Sequence, residues 1–187
     1  MDALECIMTR RTIRKFMDSP VADKDLREII KAVRMAPSWA NTQCVSLVVI
    51  KDPEIKKALQ GTLPQGNPAR NGVVEAPCVI ALCAKKGLSG YYNGEPATPF
   101  GDWFLFDAGI ACQNLALAAH AMGYGIVNVG LMDQEAASSI IKLPEEMVCL
   151  ELLPLGRPAK IPEKAPERKP VGELVYENRF GETLWSS

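Results

Sequence analysis

The sequence has little histidine and few aromatic residues, and charge of neither sign dominates. His120 is the one histidine among 187 residues, and aromatic residues make up 6% of the chain. A zinc site would need more histidines or a Cys-x-x-Cys pair, and neither occurs, so we expect no metal. Lys and Arg number 21 against 22 Asp and Glu, for a net charge of -1. Because nucleic-acid binding needs a surplus of basic residues, we expect no nucleic-acid partner.

Long hydrophobic runs are also missing. Apolar strings such as 47–50 are the length of a strand and far below the roughly 20 residues that span a bilayer. No basic segment followed by an apolar one opens the chain, so we expect a cytoplasmic protein without membrane contact. The composition, with 48% hydrophobic and 23% charged residues, indicates a single globular domain over residues 1–187. Such a domain needs no disulfides, so we expect Cys78, Cys83 and Cys149 to be buried thiols.

Helical and strand patterns alternate along the chain. Leu26, Ile29, Ile30 and Val33 repeat at the spacing of an amphipathic helix. Helices are also predicted at 2–9, from Pro53, at 102–122, where the helix is apolar on nearly every side, and at 133–143. Strands are predicted at 45–50, 78–83, 126–131 and 148–155, and loops at 61–72 and 85–101. This alternation predicts an α/β or α+β sandwich with the sheet in the middle.

The segment Arg10–Phe16 is basic and lacks a helical pattern. If it is extended, Arg10, Thr12 and Arg14 share one face. Two guanidinium groups and a hydroxyl would suit a phosphate dianion. The alternative interpretation is a solvated basic edge of the sheet.

Two polar segments adjoin predicted strands. Residues 36–43 offer amide and hydroxyl groups between a helix and a strand, where ligands of sheet proteins often bind. Residues 128–133 follow a strand, and Gly130 there would let a ligand approach the backbone. The glycines at 123, 125 and 130 do not form a dinucleotide fingerprint, because Asn128 stands where the third glycine is needed.

Taken in order, five motifs resemble the nitroreductase family of flavoproteins. They are Arg10-Arg11-Thr12-Ile13-Arg14-Lys15-Phe16; Ala36-Pro37-Ser38-x-x-Asn41-x-Gln43; Asp107-Ala108-Gly109 with Asn114-Leu115-x-Leu117-Ala118-Ala119; Gly123-Tyr124-Gly125 leading to Gly130; and Leu155-Gly156-Arg157-Pro158 with Arg168-Lys169-Pro170-x-x-Glu173-Leu174-Val175. Each motif is weak alone, and their order across the chain makes the resemblance specific. Trp39 departs from the small polar residue that is usual in the family, and Cys44 from a common proline.

The resemblance implies a fold and an assembly. The fold is α+β, a three-layer α-β-α sandwich with a central mixed, mostly antiparallel sheet. Residues 156–187 would form a C-terminal arm that is exchanged in a homodimer, with FMN at the dimer interface. By the match, Arg10, Arg11, Thr12 and Arg168 would hold the FMN phosphate, and Arg14 would approach the pyrimidine edge of the flavin. The other cofactor-binding residues implied by the match are Pro37, Ser38, Trp39, Asn41, Asn71, Gly130 and Leu131. Of these, Pro37, Ser38 and Trp39 would come from the partner subunit.

The resemblance also implies an activity. Hydride would pass from NAD(P)H through flavin N5 to nitroaromatic, quinone or similar small-molecule acceptors in a ping-pong mechanism. The flavin carries the chemistry, so no catalytic side chain is expected. Tyr91, Tyr92, Phe100 and Trp103 are candidates for the acceptor side, with packing of the 85–101 loop as the alternative. An ene-reductase, a dehalogenase, a flavin-fragmenting enzyme or a non-catalytic electron carrier remains an alternative function.

Overall fold

The computed structural model describes residues 1–185, so the last two residues of the predicted arm lie outside the described part. The helices are α1 (Ala3–Thr9), α2 (Asp23–Arg34), α3 (Pro53–Gly61), α4 (Arg70–Glu75), α5 (Phe104–Ala121) and α6 (Gln134–Ile140). The strands are β1 (Val45–Ile50), β2 (Cys78–Lys85), β3 (Tyr91–Tyr92), β4 (Glu95–Pro96), β5 (Gly125–Ile126) and β6 (Met147–Gly156). Single 3-10 turns lie at Trp39–Asn41 and Val171–Glu173.

The main sheet has the strand order β1-β2-β6-β5, and each of these pairings is antiparallel. β2 and β6 lie in the centre, with Ala81 opposite Leu152. The register shifts between Leu82 and Cys83, which marks an irregularity of the bulge type in this central pair. β1 lies at one edge and β5 at the other, and β3 and β4 form a separate small hairpin.

The central strand β2 is buried on both faces and divides the core in two. Val79, Ala81 and Cys83 pack with residues of α3, α4 and α6. The alternate residues Ile80 and Leu82 pack with α2 and α5 on the other face. Side chains of a strand alternate between faces, so one continuous apolar strand supports helices on both sides. The predicted three-layer α+β sandwich is therefore confirmed.

Local chemistry explains where several elements begin. The Asp52 side chain accepts from the backbone N–H groups of Glu54 and Ile55, and Pro53 follows at the first helical position of α3. The Asp133 side chain caps α6 in the same way through the N–H of Ala136.

All six cysteines are free and buried, as predicted for the three in the strands.

Four predicted elements differ from the structure, one of which is the predicted loop 85–101, where β3 and β4 form a hairpin. The predicted loop 61–72 contains the start of α4, which is only six residues long and has no side-chain cap. The predicted strand 126–131 is reduced to β5 and one bridge between Val129 and Leu152, because the chain then turns with Met132 N–H donating to Gly130 O. α5 is not buried all round, since Leu105 and Phe106 are exposed near its start.

The segment after β6 runs mostly exposed from Arg157 to Trp185. Phe180 and Leu174 are 91% and 81% exposed. Leaving such large apolar groups in water is unfavourable. Exposed apolar groups of this size are typical of an interaction surface. No helix within residues 1–185 is long and apolar enough to cross a membrane.

Candidate functional site

The basic segment is anchored to the end of the main sheet. Ile13 N–H donates to Ile126 O at 2.9 Å, and Ala159 N–H donates to Lys15 O at 3.0 Å. Gly125 approaches Ile13 so closely that a Cβ on the glycine would lie 2.3 Å from Ile13 Cγ1. The absence of a side chain at Gly125 therefore lets the segment pack against β5.

Thr12, Arg14 and Lys15 line a cavity of about 490 Å³, which we call the basic cavity. Its other lining residues are Lys160, Pro162, Glu163 and Lys164. Four cationic side chains thus face one carboxylate. Such a cluster attracts an anion, and a phosphate group can accept several of these donors at once.

The other two arginines of the segment point elsewhere. Arg11 Nη1 donates to the carbonyl oxygens of Met8 and Arg10, each at 2.9 Å. The pKa of His120 is lowered first by burial and then by the charges of Arg10 and Arg11, which places both arginines near the end of α5. The predicted common face of residues 10, 12 and 14 is therefore only partly formed, with residues 12 and 14 in the basic cavity.

The turn before α4 and the turn after β5 meet close to the basic segment. Asn67 Nδ2 donates to Leu131 O at 3.2 Å. A Cβ on Gly72 would lie 3.0 Å from Arg14 O, so the first turn of α4 with Asn71 adjoins the backbone of Arg14. Among the predicted cofactor residues, Arg14, Asn71 and Leu131 thus share one side of the molecule.

A second cavity, of about 390 Å³, opens beside Gly130, and we call it the amide cavity. Its polar lining residues are Cys112, Gln113, Asn128, Gln134 and Glu151, and its other lining residues are Leu82, Leu105, Ala108, Gly109, Gly130 and Leu150. None of these residues is cationic. Gln134 Nε2 donates to Gly130 O at 2.9 Å and so holds the turn after β5.

Three side chains in the amide cavity are hydrogen-bonded to one another. Asn128 Nδ2 donates to Glu151 Oε2 at 2.9 Å and to Cys112 Sγ at 3.0 Å. Burial raises the pKa of Cys112 to about 12, and the negative charge of Glu151 adds to the effect. Cys112 is therefore a protonated thiol at neutral pH.

Residues 37–43 lie beside α2 and α5, next to the edge strand β1. Ser38 Oγ accepts from Gln43 N–H at 2.9 Å, which closes the turn on itself. Ala40, Asn41 and Gln43 have φ angles of 43°, 57° and 50°. The left-handed conformation costs a non-glycine residue about 1–2 kcal/mol, and such strain concentrates at functional sites.

Asp107 holds this strained segment in place. It is 2% exposed, and its carboxylate accepts from Trp39 N–H at 3.1 and 3.2 Å and from Ser89 Oγ at 2.7 Å. Cys44 Sγ also donates to Asp107 Oδ2 at 3.5 Å. Burial and then the Asp107 charge raise the pKa of Cys44 to about 11, so this thiol is not ionised at neutral pH.

The predicted acceptor-side aromatics gather around Trp39. The Trp39 ring lies 5.1 Å from Trp103 and 6.4 Å from Tyr92, between centroids. Phe100 is 83% exposed and contacts Trp103 edge-on, while Tyr91 is half-buried in the hairpin. None of these residues lines the basic or the amide cavity of the same chain.

Comparison with known proteins decides the family. The profile of the Nitroreductase family matches residues 7–157. The chain belongs to the nitroreductase family. The NADPH-flavin oxidoreductase of Vibrio harveyi is 33% identical over 186 residues, which cover 97% of this chain and 75% of that protein. The FMN reductase (NAD(P)H) of Bacillus subtilis strain 168 is 30% identical over 179 residues, which cover 88% of this chain and 69% of that protein.

A solved structure of the family has the same fold. The crystal structure of a nitroreductase family protein from Clostridium novyi NT aligns with a TM-score of 0.76 at 24% identity. The alignment covers 100% of this chain and 99% of that one. The family and the fold are confirmed, and the relatives support an oxidoreductase.

Within this nitroreductase-family chain, the predicted cofactor residues form two separate groups. Thr12 and Arg14 line the basic cavity and Gly130 lines the amide cavity, with Asn71 and Leu131 nearby. Pro37 and Ser38 line a groove along the edge strand β1, next to Trp39 and Asn41. Arg168 is exposed in the segment after β6, and within residues 1–185 it has no hydrogen bond or ion pair. No group of three potential metal-ligating side chains occurs in that range.

Sequence analysis missed several residues of the site. Lys160 and Lys164 were not singled out, although they complete the basic cavity. Asp107 was noted only within a motif, and its position as a lone acid in an apolar helix was the available signal. Asn128 and Glu151 carry no local signal of their pairing, because Asn128 follows β5 and Glu151 lies on β6, 23 residues later in the chain.

Proposed function

We propose that this chain is an FMN-dependent oxidoreductase that transfers hydride equivalents from NAD(P)H to nitroaromatic, quinone or similar acceptors. The basic cavity carries this proposal, because four cationic side chains and the Thr12 hydroxyl suit the phosphate of FMN. Relatives named as a flavin oxidoreductase and an FMN reductase support it. A non-phosphorylated ligand would leave this charge cluster without a purpose.

The residues present fit the cofactor along its length. Thr12, Arg14 and Lys15 would hold the phosphate together with Lys160 and Lys164. Within residues 1–185 the backbone N–H groups of Gly130 and Leu131 donate to no acceptor, and both residues are exposed, so both groups can donate to the flavin ring. When bound, FMN supplies the two-electron chemistry.

The protein side of the reaction is positioning. Gln134 fixes the turn at Gly130, and the basic cavity would fix the phosphate. The cofactor would therefore be held both at its ring and at its phosphate. A bound ring held in this way leaves one face for the donor and then for the acceptor, which supports alternating use of one cleft. No side chain of this chain needs to take up or release a proton for that exchange.

We further propose that a homodimer completes the site. The group formed by Pro37, Ser38, Trp39 and Asn41 would then cover the cofactor of the partner. Along the edge strand β1 runs a groove of about 390 Å³ whose lining includes Val45, Leu47 and Asp107. The exposed apolar residues after β6 suit that groove, and Arg168 in the same arm would reach the phosphate site.

The test is the purified protein itself. We expect it to take up FMN and to show a flavin absorbance band. Bound flavin should be bleached anaerobically by NADH or NADPH and restored by a quinone or a nitroaromatic. Steady-state rates at several acceptor concentrations should give parallel double-reciprocal lines.

Three outcomes would each contradict a different part of the proposal. A colourless protein that takes up no added FMN would show that the basic cavity serves another anion. A yellow protein that neither donor reduces would favour the non-catalytic electron carrier. Sedimentation of a monomer with full FMN occupancy would contradict the shared site.

A further inference from the structure

The carboxylate of Glu151 lies in the amide cavity and forms no ion pair within residues 1–185. Glu151 lies on β6 and is half-buried. Its Oε2 accepts from Asn128 Nδ2 at 2.9 Å. Its Oε1 accepts from no donor within the same range.

The free oxygen lies close to the turn proposed to run past the flavin. A Cβ built on Gly130 would be 3.8 Å from both Cγ and Oε1 of Glu151. No side chain at Gly130 therefore separates the carboxylate from a ligand that follows this turn. Asn128 binds the other oxygen and thereby holds the orientation of the carboxylate.

No cationic residue lines the amide cavity, although the charge of Arg10 acts on Cys112. The other polar lining residues of the amide cavity are the amides Gln113, Asn128 and Gln134 and the protonated thiol of Cys112. A carboxylate without an ion-pair partner repels anions and accepts hydrogen bonds from neutral donors. A volume of about 390 Å³ is sufficient for a ligand with one aromatic ring.

We propose that Glu151 is a specificity-determining residue that makes the amide cavity prefer neutral, hydrogen-bond-donating aromatic acceptors and reject anionic ones of the same shape. A primary carboxamide donates an N–H to Oε1, whereas a carboxylate in its place meets a like charge. The inference rests on the proposed function, because Gly130 is where that function places the ring. It narrows the acceptor class to neutral amide-bearing or hydroxyl-bearing aromatics.

The experiment compares two ligands of nearly equal shape on the FMN-loaded protein. Dissociation constants for 4-nitrobenzamide and 4-nitrobenzoate are measured from the change in flavin absorbance. We expect the native protein to bind the amide at least about tenfold more tightly than the benzoate. Glu151→Gln should bring the two constants close together, and Glu151→Asp should keep most of the preference.

Two control variants isolate the charge. Glu135→Gln removes an exposed acid from α6 outside the cavity and should leave the preference unchanged. Gln113→Lys places a cation in the same cavity and should favour the benzoate. Circular dichroism checks that each variant folds. If Glu151→Gln does not fold, the Gln113→Lys variant still tests the effect of charge in the cavity.

The inference is wrong if Glu151→Gln retains the native preference, or if Glu151→Asp loses it to the same extent as Glu151→Gln. A failure of the proposed function looks different, because the protein would then take up no FMN. In that case the same two ligands are titrated on the FMN-free protein by tryptophan fluorescence. A preference that still depends on Glu151 would keep the cavity assignment and remove only its link to the flavin.

Discussion

The basic cavity and the amide cavity differ sharply in charge. The basic cavity has Arg14, Lys15, Lys160 and Lys164 against one acid. The amide cavity has one acid, three amides and no cation in its lining. The basic cavity therefore suits a phosphate group, and the amide cavity suits a neutral ligand.

The two cavities are also built in different ways. The basic segment beside the basic cavity depends on close contacts with two glycines. Gly125 leaves room for the Ile13 side chain, and Gly72 leaves room for the Arg14 carbonyl. The amide cavity depends on side-chain hydrogen bonds, in which Asn128 joins Glu151 and Cys112. Contacts between backbone segments persist when one side chain is replaced. In the side-chain cluster, by contrast, each hydrogen-bonding group can be replaced separately.

The largest expected effect is on the phosphate end. Arg14→Ala should weaken FMN binding by about 1.5–3 kcal/mol, because a charge-assisted hydrogen bond is lost. That is roughly a 10- to 150-fold rise in the dissociation constant, measured by flavin fluorescence. Riboflavin, which has no phosphate, should bind the native protein and the Arg14→Ala variant equally well. Arg27→Ala, an exposed basic residue of α2, is the control, and an equal loss in that variant would show a general charge effect.

The second effect concerns how the basic segment is held. Gly125→Ala would force a Cβ against Ile13 and should lower the free energy of unfolding by about 1–3 kcal/mol. At Gly130 the nearest atoms to such a Cβ lie 3.8 Å away, so Gly130→Ala should change stability by less than about 0.5 kcal/mol. Urea unfolding of both variants measures the difference. Equal losses would remove the structural contrast between the two cavities.

The smallest effect is a pH dependence in the amide cavity. Burial, followed by the Glu151 charge, raises the pKa of Cys112 to about 12, whereas an unfolded thiol ionises near its ordinary value of 9.0. The folded protein therefore keeps a proton that the unfolded chain loses, and stability falls as the pH rises above about 9. At pH 10 this loss is about 1.4 kcal/mol for the one thiol.

The control for this pH dependence is the Cys112→Ala variant. Thermal unfolding at pH 8 and pH 10 should show a smaller alkaline loss in the variant than in the native protein. The buried thiols Cys44 and Cys78, whose pKa values are each raised to about 11, remain in both proteins and cancel in the comparison. An identical alkaline loss in the two proteins would contradict the burial of the Cys112 thiol.

Much of the fold followed from local patterns. The residues of β1, the Asp52–Pro53 start of α3 and the apolar run of β2 were predictable because each signal lies within a few neighbouring residues. α4 was not predicted, because a six-residue helix without a cap is stabilised by tertiary packing rather than by its own sequence. β5 was predicted too long, since its pairing with β6 ends where the chain turns at Gly130.

The candidate site was predictable in composition and less so in arrangement. The basic segment was recognised, but the sequence placed Arg10 beside Thr12 and Arg14, and the structure directs Arg10 towards His120. The two lysines of the basic cavity stand in a charged segment where no pattern distinguishes them. A side chain's direction at the end of a sheet depends on which strand runs beside it, and that information is not local.

By itself, the sequence determined the family, the alternation of helices and strands, the capped helix starts and the presence of a basic segment. These features depend on hydrophobic periodicity and on residues close together in the chain. Only the tertiary structure decided which charges share a cavity and which polar groups pair. The strand order β2-β6-β5 brings Glu151 to Gly130, and the packing of α5 brings Asp107 to Trp39. Electrostatic environments arise from such distant contacts, because charge acts through space and not along the chain.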